Sequence, residues 1–278
     1  MTRRTREAAP TAEAGGAFRR LALALLAGLA LIAAAYYDSN PLTRRAEGYA
    51  RSVAVASAGV YVTLRTLNAV LSAAQEIEVG GSMVVSGSAQ PLKLLEPIDD
   101  TVERVAGGVF ALMVTTGVLS VAMAPVGAVG FGLLALGCGL AALGRGALRG
   151  PARRLGWYGG ALAVMLPLAF VLSGLIADPM TQAAWDRNMA VIEDITAQVD
   201  DPASGAVEAG GLGAGLRSAL GEIERYQELA RNLYTRADEM VGSFVAILAI
   251  FVFKLFVLPL LILGACWGTL RSVARSDT

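Results

Sequence analysis

Apolar residues along this chain gather in long unbroken runs separated by short polar stretches. LALALLAGLALIAAAYY (21–37), VAGGVFALMVTTGVLSVAMA (105–124), PVGAVGFGLLALGCGLAAL (125–143), WYGGALAVMLPLAFVLSGLIA (157–177) and MVGSFVAILAIFVFKLFVLPLLILG (240–264) are the principal runs. Each approaches or exceeds the roughly 17–25 residues that a membrane-spanning helix requires. The pattern predicts an all-α integral membrane protein with five transmembrane helices.

A further stretch, SVAVASAGVYVTLRTLNAVLSAA (52–74), is long enough to cross but is not uniformly apolar. Ser57, Tyr61, Arg65, Asn68 and Ser72 share one helical face. Val60, Leu64, Leu67 and Leu71 recur at heptad-like spacing on another. A central arginine costs about 2.5–3.5 kcal/mol on insertion scales, and each Leu or Val returns only about 0.3–0.6. Two readings follow. The helix either enters the membrane with its polar stripe lining an internal path, or lies outside as an amphipathic helix.

Residues 75–104 carry weaker signals. EIEV and SMVV flank Gly80 and Gly81, a dipeptide suited to a tight β-hairpin turn. A helix is expected to start near Asp99 or Asp100, after Pro97, with Glu103 completing its N-terminal cap and the helix running on into the span at 105–124. The acids Glu96, Asp99, Asp100 and Glu103 lack cation-loop spacing and read as capping and solvation. Residues 180–200 and 215–239 have amphipathic spacing, with Trp185, Met189, Ile192 and Ile195 on the first and Leu216, Leu220, Ile223, Leu233, Ala237 and Met240 on the second. The glycine-rich DPASGAVEAGGLGAG joins them, so 178–239 is expected to form an amphipathic helical hairpin outside the bilayer.

Charge changes the picture next. The N-terminus (1–20), the loop at 145–154 and the tail at 265–278 are basic, whereas 178–239 has twelve Asp or Glu against five Arg. Lys and Arg beside spans favour the cytoplasm, which places both termini there in a bacterial inner membrane. That arrangement requires an even number of crossings between Arg20 and Arg145. With three clear runs in between, either 52–74 also crosses, or 125–143, with Pro125 and its many glycines, is an incomplete re-entrant piece.

Chemistry is narrowed mostly by what is missing. The chain has no histidine, so imidazole metal sites and Ser-His-Asp triads are excluded. No phosphate-binding glycine loop, dinucleotide fingerprint or zinc signature occurs, and neither a catalytic constellation nor a cofactor is expected. Basic residues sit beside spans rather than on an aromatic-interleaved surface, so nucleic acid is not an expected partner. Cys138 and Cys266 lie in or beside spans and read as small fillers. Lys254 stands out because it lies about 15 Å from the nearer end of its run, at 1.5 Å per residue. An ionisable group at that depth is a candidate ion pathway or gating element, together with Arg65, Asn68 and Tyr61. Pro259 and Pro125 are the expected helix breaks.

The order of LRTLNAVLSAAQEIEV, LEPIDDTVERVAG and VLPLLILGACW after an N-terminal anchor resembles a loose group of uncharacterised bacterial multi-pass inner-membrane proteins with no assigned activity. The resemblance covers most of the chain and implies an inner-membrane location without implying a mechanism. Two functions fit these observations. One is a channel or transporter-like pore, favouring anions and built from several copies. The other is a non-transporting scaffold or sensor that recruits a protein through 180–239. Besides itself and such a protein, the lipid bilayer is the expected partner.

Overall fold

The computed structural model describes residues 11–81, 96–144, 146–199 and 234–276. Every regular element among them is helical. The principal helices are α1 (Thr11–Ala35), α2 (Pro41–Gly81), α3 (Glu96–Ala142), α4 (Arg149–Gly160), α5 (Leu166–Val199), α6 (Ala237–Val252) and α7 (Leu258–Ser276). Five stretches, Gly15–Ala35, Pro41–Ser72, Pro97–Ala142, Gly146–Ala197 and Ala237–Thr269, are long and apolar enough to cross a membrane.

Several boundaries differ from the sequence expectation. The runs 105–124 and 125–143 are one continuous helix of 47 residues, with Pro125 inside it. A proline removes one intrahelical hydrogen bond, and neighbouring helices can make that loss tolerable in an apolar setting. The β-turn reading of Gly80 and Gly81 also fails, because both glycines and the preceding EIEV belong to α2. SMVV lies outside the described residues. The helix expected near Asp99 already begins at Glu96, which puts Pro97 in its first turn, where a missing N–H is harmless. The outer arm of the expected hairpin is no separate element: α5 passes without interruption from the span into residues 178–199. The connector and most of the second hairpin helix lie outside the described residues.

Two π-helical turns interrupt the longest apolar segments, over Ala161–Met165 and Phe253–Val257. Both precede a Leu-Pro pair, Leu166-Pro167 and Leu258-Pro259. The carbonyl four residues before each proline, on Ala163 and Leu255, falls within the π turn. Its widened register accommodates the clash and the missing donor. Pro259 therefore modifies the helix without ending it.

The chain divides into two compact units. The first comprises Met1–Arg51, Gly117–Gly174 and Leu258–Thr278. Its closest packing joins α3 to α4 and the following π turn. A Cβ placed on Gly130, Gly137 or Gly159 would come within 3.0 Å of backbone atoms of Ala163, Gly156 and Leu134 respectively. Partner numbers fall as α3 numbers rise, so these helices are antiparallel. Gly130 and Gly137 of α3 and Gly159 of α4 are the small residues that allow the approach. Elsewhere in this unit, Arg20 lies against Gly144 (φ +69°), Thr43 against Gly127, and the Tyr49 ring against Gly174. Gly144 ends α3 in the left-handed conformation, and the Arg20 cation beside that end complements the helix dipole. Asn40 caps α2, its Oδ1 accepting from the Leu42 N–H at 3.0 Å, with Pro41 next in line.

The second unit comprises Ser52–Thr116 and Leu175–Val257. Its core is made by stripes at spacings of three and four: Val60, Leu64, Leu67 and Leu71 from α2, and Ile98, Val102, Val105, Val109 and Leu112 from α3. Ile192 and Ile195 of α5 and Met240, Phe244, Ile247 and Phe251 of α6 are buried likewise. Such spacing is that of knobs-into-holes packing between helices. The packing stripe expected in 52–74 is therefore buried along its whole length.

Candidate functional site

Two arrangements of polar side chains stand out, one in each unit. In the second unit, Lys254 Nζ donates to Asp178 Oδ1 at 2.8 Å. The lysine stem is mostly covered, with 16% of the side chain exposed, whereas Asp178 is 60% exposed. The π turn carries Lys254, and Asp178 follows the 157–177 run directly. A buried stem with its charge delivered to a hydrated partner is the ordinary way an amphipathic lysine is accommodated. The same helix pair is joined by Trp185 and Phe251, whose rings meet edge-on at 5.4 Å. At its other end Arg236 is bound to Asp194, and to Glu239 at 3.0 Å. Hydrogen bonding to Asp194 first, and to Glu239 next, raises the Arg236 pKa further. Residues 178–194 of α5 thus pair antiparallel with 236–254.

The other residues expected at an ion pathway do not form one polar lining with Lys254. Ser57 is fully buried and its hydroxyl donates to the Ala54 carbonyl of its own helix at 3.0 Å. Tyr61 is half-buried, its ring 5.3 Å from that of Phe110. Arg65 is exposed. Asn68 is half-buried, and its Oδ1 is a buried acceptor with no hydrogen-bond partner among the described residues. The polar stripe is consequently split between core and surface. Buried hydroxyls elsewhere behave as Ser57 does: Thr116, Ser173 and Thr181 each donate to the carbonyl four residues earlier, at 2.7, 2.7 and 2.8 Å. Such bonds satisfy the hydroxyl locally and leave it uncommitted to any other helix.

The first unit contains the second arrangement, a cavity of about 690 Å³. Arg153, Arg154 and Arg271 line it together with Trp157, Tyr158 and Trp267. On α4, Gly150, Arg153, Arg154, Trp157 and Tyr158 are spaced three, one, three and one, which puts them on one helical face. Arg271 and Trp267, four residues apart on α7, supply the other side. Trp157 and Trp267 meet edge-to-face with centroids 5.0 Å apart, a favourable aromatic geometry. The sequence reading recognised both basic patches as markers of sidedness but did not bring them together. The α4 face was legible from spacing alone; its meeting with α7, more than a hundred residues away, was not. Cys138 is buried and Cys266 half-buried, both as free thiols. No family model matches the chain, and comparison with curated proteins and with solved structures likewise finds no match.

Proposed function

We propose that this chain is a bacterial inner-membrane protein that crosses the bilayer four times, with both ends in the cytoplasm. On this reading it is a non-transporting scaffold or sensor that recruits a partner protein through the region 180–239. The observation that carries the functional part is the continuity of α5 from Leu166 to Val199. One helix carries the last part of the apolar run (166–177), passes through Pro179, and continues into the arm bearing exposed Asp186, Arg187 and Glu193. A partner held on the arm is therefore on the same helix as the span, with Pro179 at the junction. The alternative, an anion-selective pore, gained its motive from Lys254 as an uncompensated cation. The bond to Asp178 supplies a compensating charge, which weakens that motive.

The test uses the full-length protein. In cells, a photo-crosslinking residue at position 187 is expected to capture a protein, and charge reversal by D186K with E193K to abolish that product. In liposomes, anion flux is expected to equal that of empty vesicles. Anion flux that K254M removes, without a capture product sensitive to D186K and E193K, would replace the scaffold with the pore.

A further inference from the structure

We propose that the cavity between α4 and α7 binds a phosphate-bearing anion, the chemistry offered by the headgroup of an anionic lipid or by free phosphate. The inference is independent of whether the protein is a scaffold or a pore. Three guanidinium groups, from Arg153, Arg154 and Arg271, line this one cavity, and among the described residues no acidic side chain lines it. The ion pairs among the described residues involve Arg236 and Lys254 and none of these arginines. Like charges brought together without a counter-charge repel, and a bound anion converts that repulsion into attraction. Arginine suits the role better than lysine, because its planar fork presents paired donors matched to phosphate oxygens.

The remaining walls point to an amphiphile. Trp157 and Trp267 provide a flat apolar surface beside the cations, and Tyr158 is 62% exposed at the same face. Tryptophan and tyrosine next to arginine are the side chains that settle at the headgroup level of a bilayer. Basic pockets between membrane helices are suited to phosphorylated headgroups. The volume is also adequate, since about 690 Å³ lies within the roughly 300–1,000 Å³ of ordinary ligand sites. A Cβ on Gly150 or Gly156 would meet nothing within 4 Å, so the space beside the arginines is open where a side chain would otherwise project.

The experiment is native mass spectrometry of the full-length protein in micelles, with equimolar phosphatidylglycerol and phosphatidylcholine. The wild type should retain the anionic lipid about tenfold or more over the zwitterionic one. The variant R153Q/R154Q/R271Q should lose that preference, and R153K/R154K/R271K should retain part of it. Displacement of the lipid by millimolar inorganic phosphate would identify a free anion as the occupant. Retention in its presence would identify the headgroup. Equal retention of the two lipids by the wild type, with no inorganic phosphate bound, would overturn the proposal. So would an undiminished preference in the glutamine variant. Should that variant lose its helical circular dichroism, the lysine variant and the wild-type comparison decide.

Discussion

Lys254 is tolerated in an apolar run because its ammonium reaches a carboxylate at the surface of the fold. The stem is mostly covered, and Asp178 is mostly exposed. Little desolvation is incurred by the acid, so the pair belongs nearer to the surface class, worth about 0–1 kcal/mol, than to the fully buried class. The two halves are nevertheless unequal. K254M exchanges an amphipathic stem for an apolar one of similar length and should change stability by less than about 1 kcal/mol. D178N removes the counter-charge from a largely covered ammonium and should cost about 1 kcal/mol or somewhat more. The double variant should recover most of that loss. Thermal unfolding of all four proteins in micelles gives the coupling; equal and additive losses would mean that the pair contributes no interaction of its own. Arg65, the other cation of the expected pathway, is exposed and needs no partner of this kind. The periodicity of 52–74 placed Val60, Leu64, Leu67 and Leu71 in the core, where Ser57 of the polar stripe is buried as well. Nothing local could reveal that Asp178, seventy-six positions away, belongs to Lys254.

At the scale of elements, glycine position decides how closely α3 and α4 approach. Gly137 and Gly139 lie on the same helix, yet only a Cβ on Gly137 collides with its neighbour. G137A should therefore lower stability by about 1–3 kcal/mol through overpacking. G139A, which meets nothing within 4 Å, should be neutral or stabilising by up to about 1 kcal/mol from improved helix propensity. Micelle unfolding temperatures that fall equally for both would refute the close-packing account. The richness in small residues was legible in GFGLLALGCGLAALG, but which glycines face α4 was not, because consecutive residues on a helix point in different directions. Pro125 shows the opposite error. Read locally, it separates two spans; in the fold it lies within α3, since a single lost backbone bond is a minor term against the packing of a long apolar helix. Gly80 and Gly81 misled similarly, because a turn-forming dipeptide sets only a preference that the helix preceding it can override.

For the whole molecule, the parity of crossings changes once 105–124 and 125–143 become a single helix. Between Arg20 and the basic loop at 145–154 there remain α1, α2 and α3. Arg20 lies against Gly144 and Thr43 against Gly127. The chain therefore advances in one direction along α3 as it passes from α1 into α2, and Tyr49 against Gly174 continues the advance. A helix that returned through the bilayer would have to run back toward Gly144. If α2 stays outside, as proposed above, α1 and α3 would be the two crossings that bring Arg20 and the loop to one face. On the same proposal the other two would be made by α4–α5 and by α6–α7, which would leave Arg271 on that face as well. The stretches 117–142 and 149–174 of the first unit each rise about 39 Å at 1.5 Å per residue, enough for a core of about 30 Å. The central arginine of α2 never enters lipid in this arrangement, so the insertion penalty does not arise. The prediction concerns thiol accessibility in spheroplasts, on a background with Cys138 and Cys266 replaced. R65C should react with a membrane-impermeant reagent from outside, and S272C should react only after the membrane is permeabilised. A silent R65C with a reactive S272C would put α2 across the bilayer as a fifth span. The two chain ends would then lie on opposite sides, and four crossings could not be maintained.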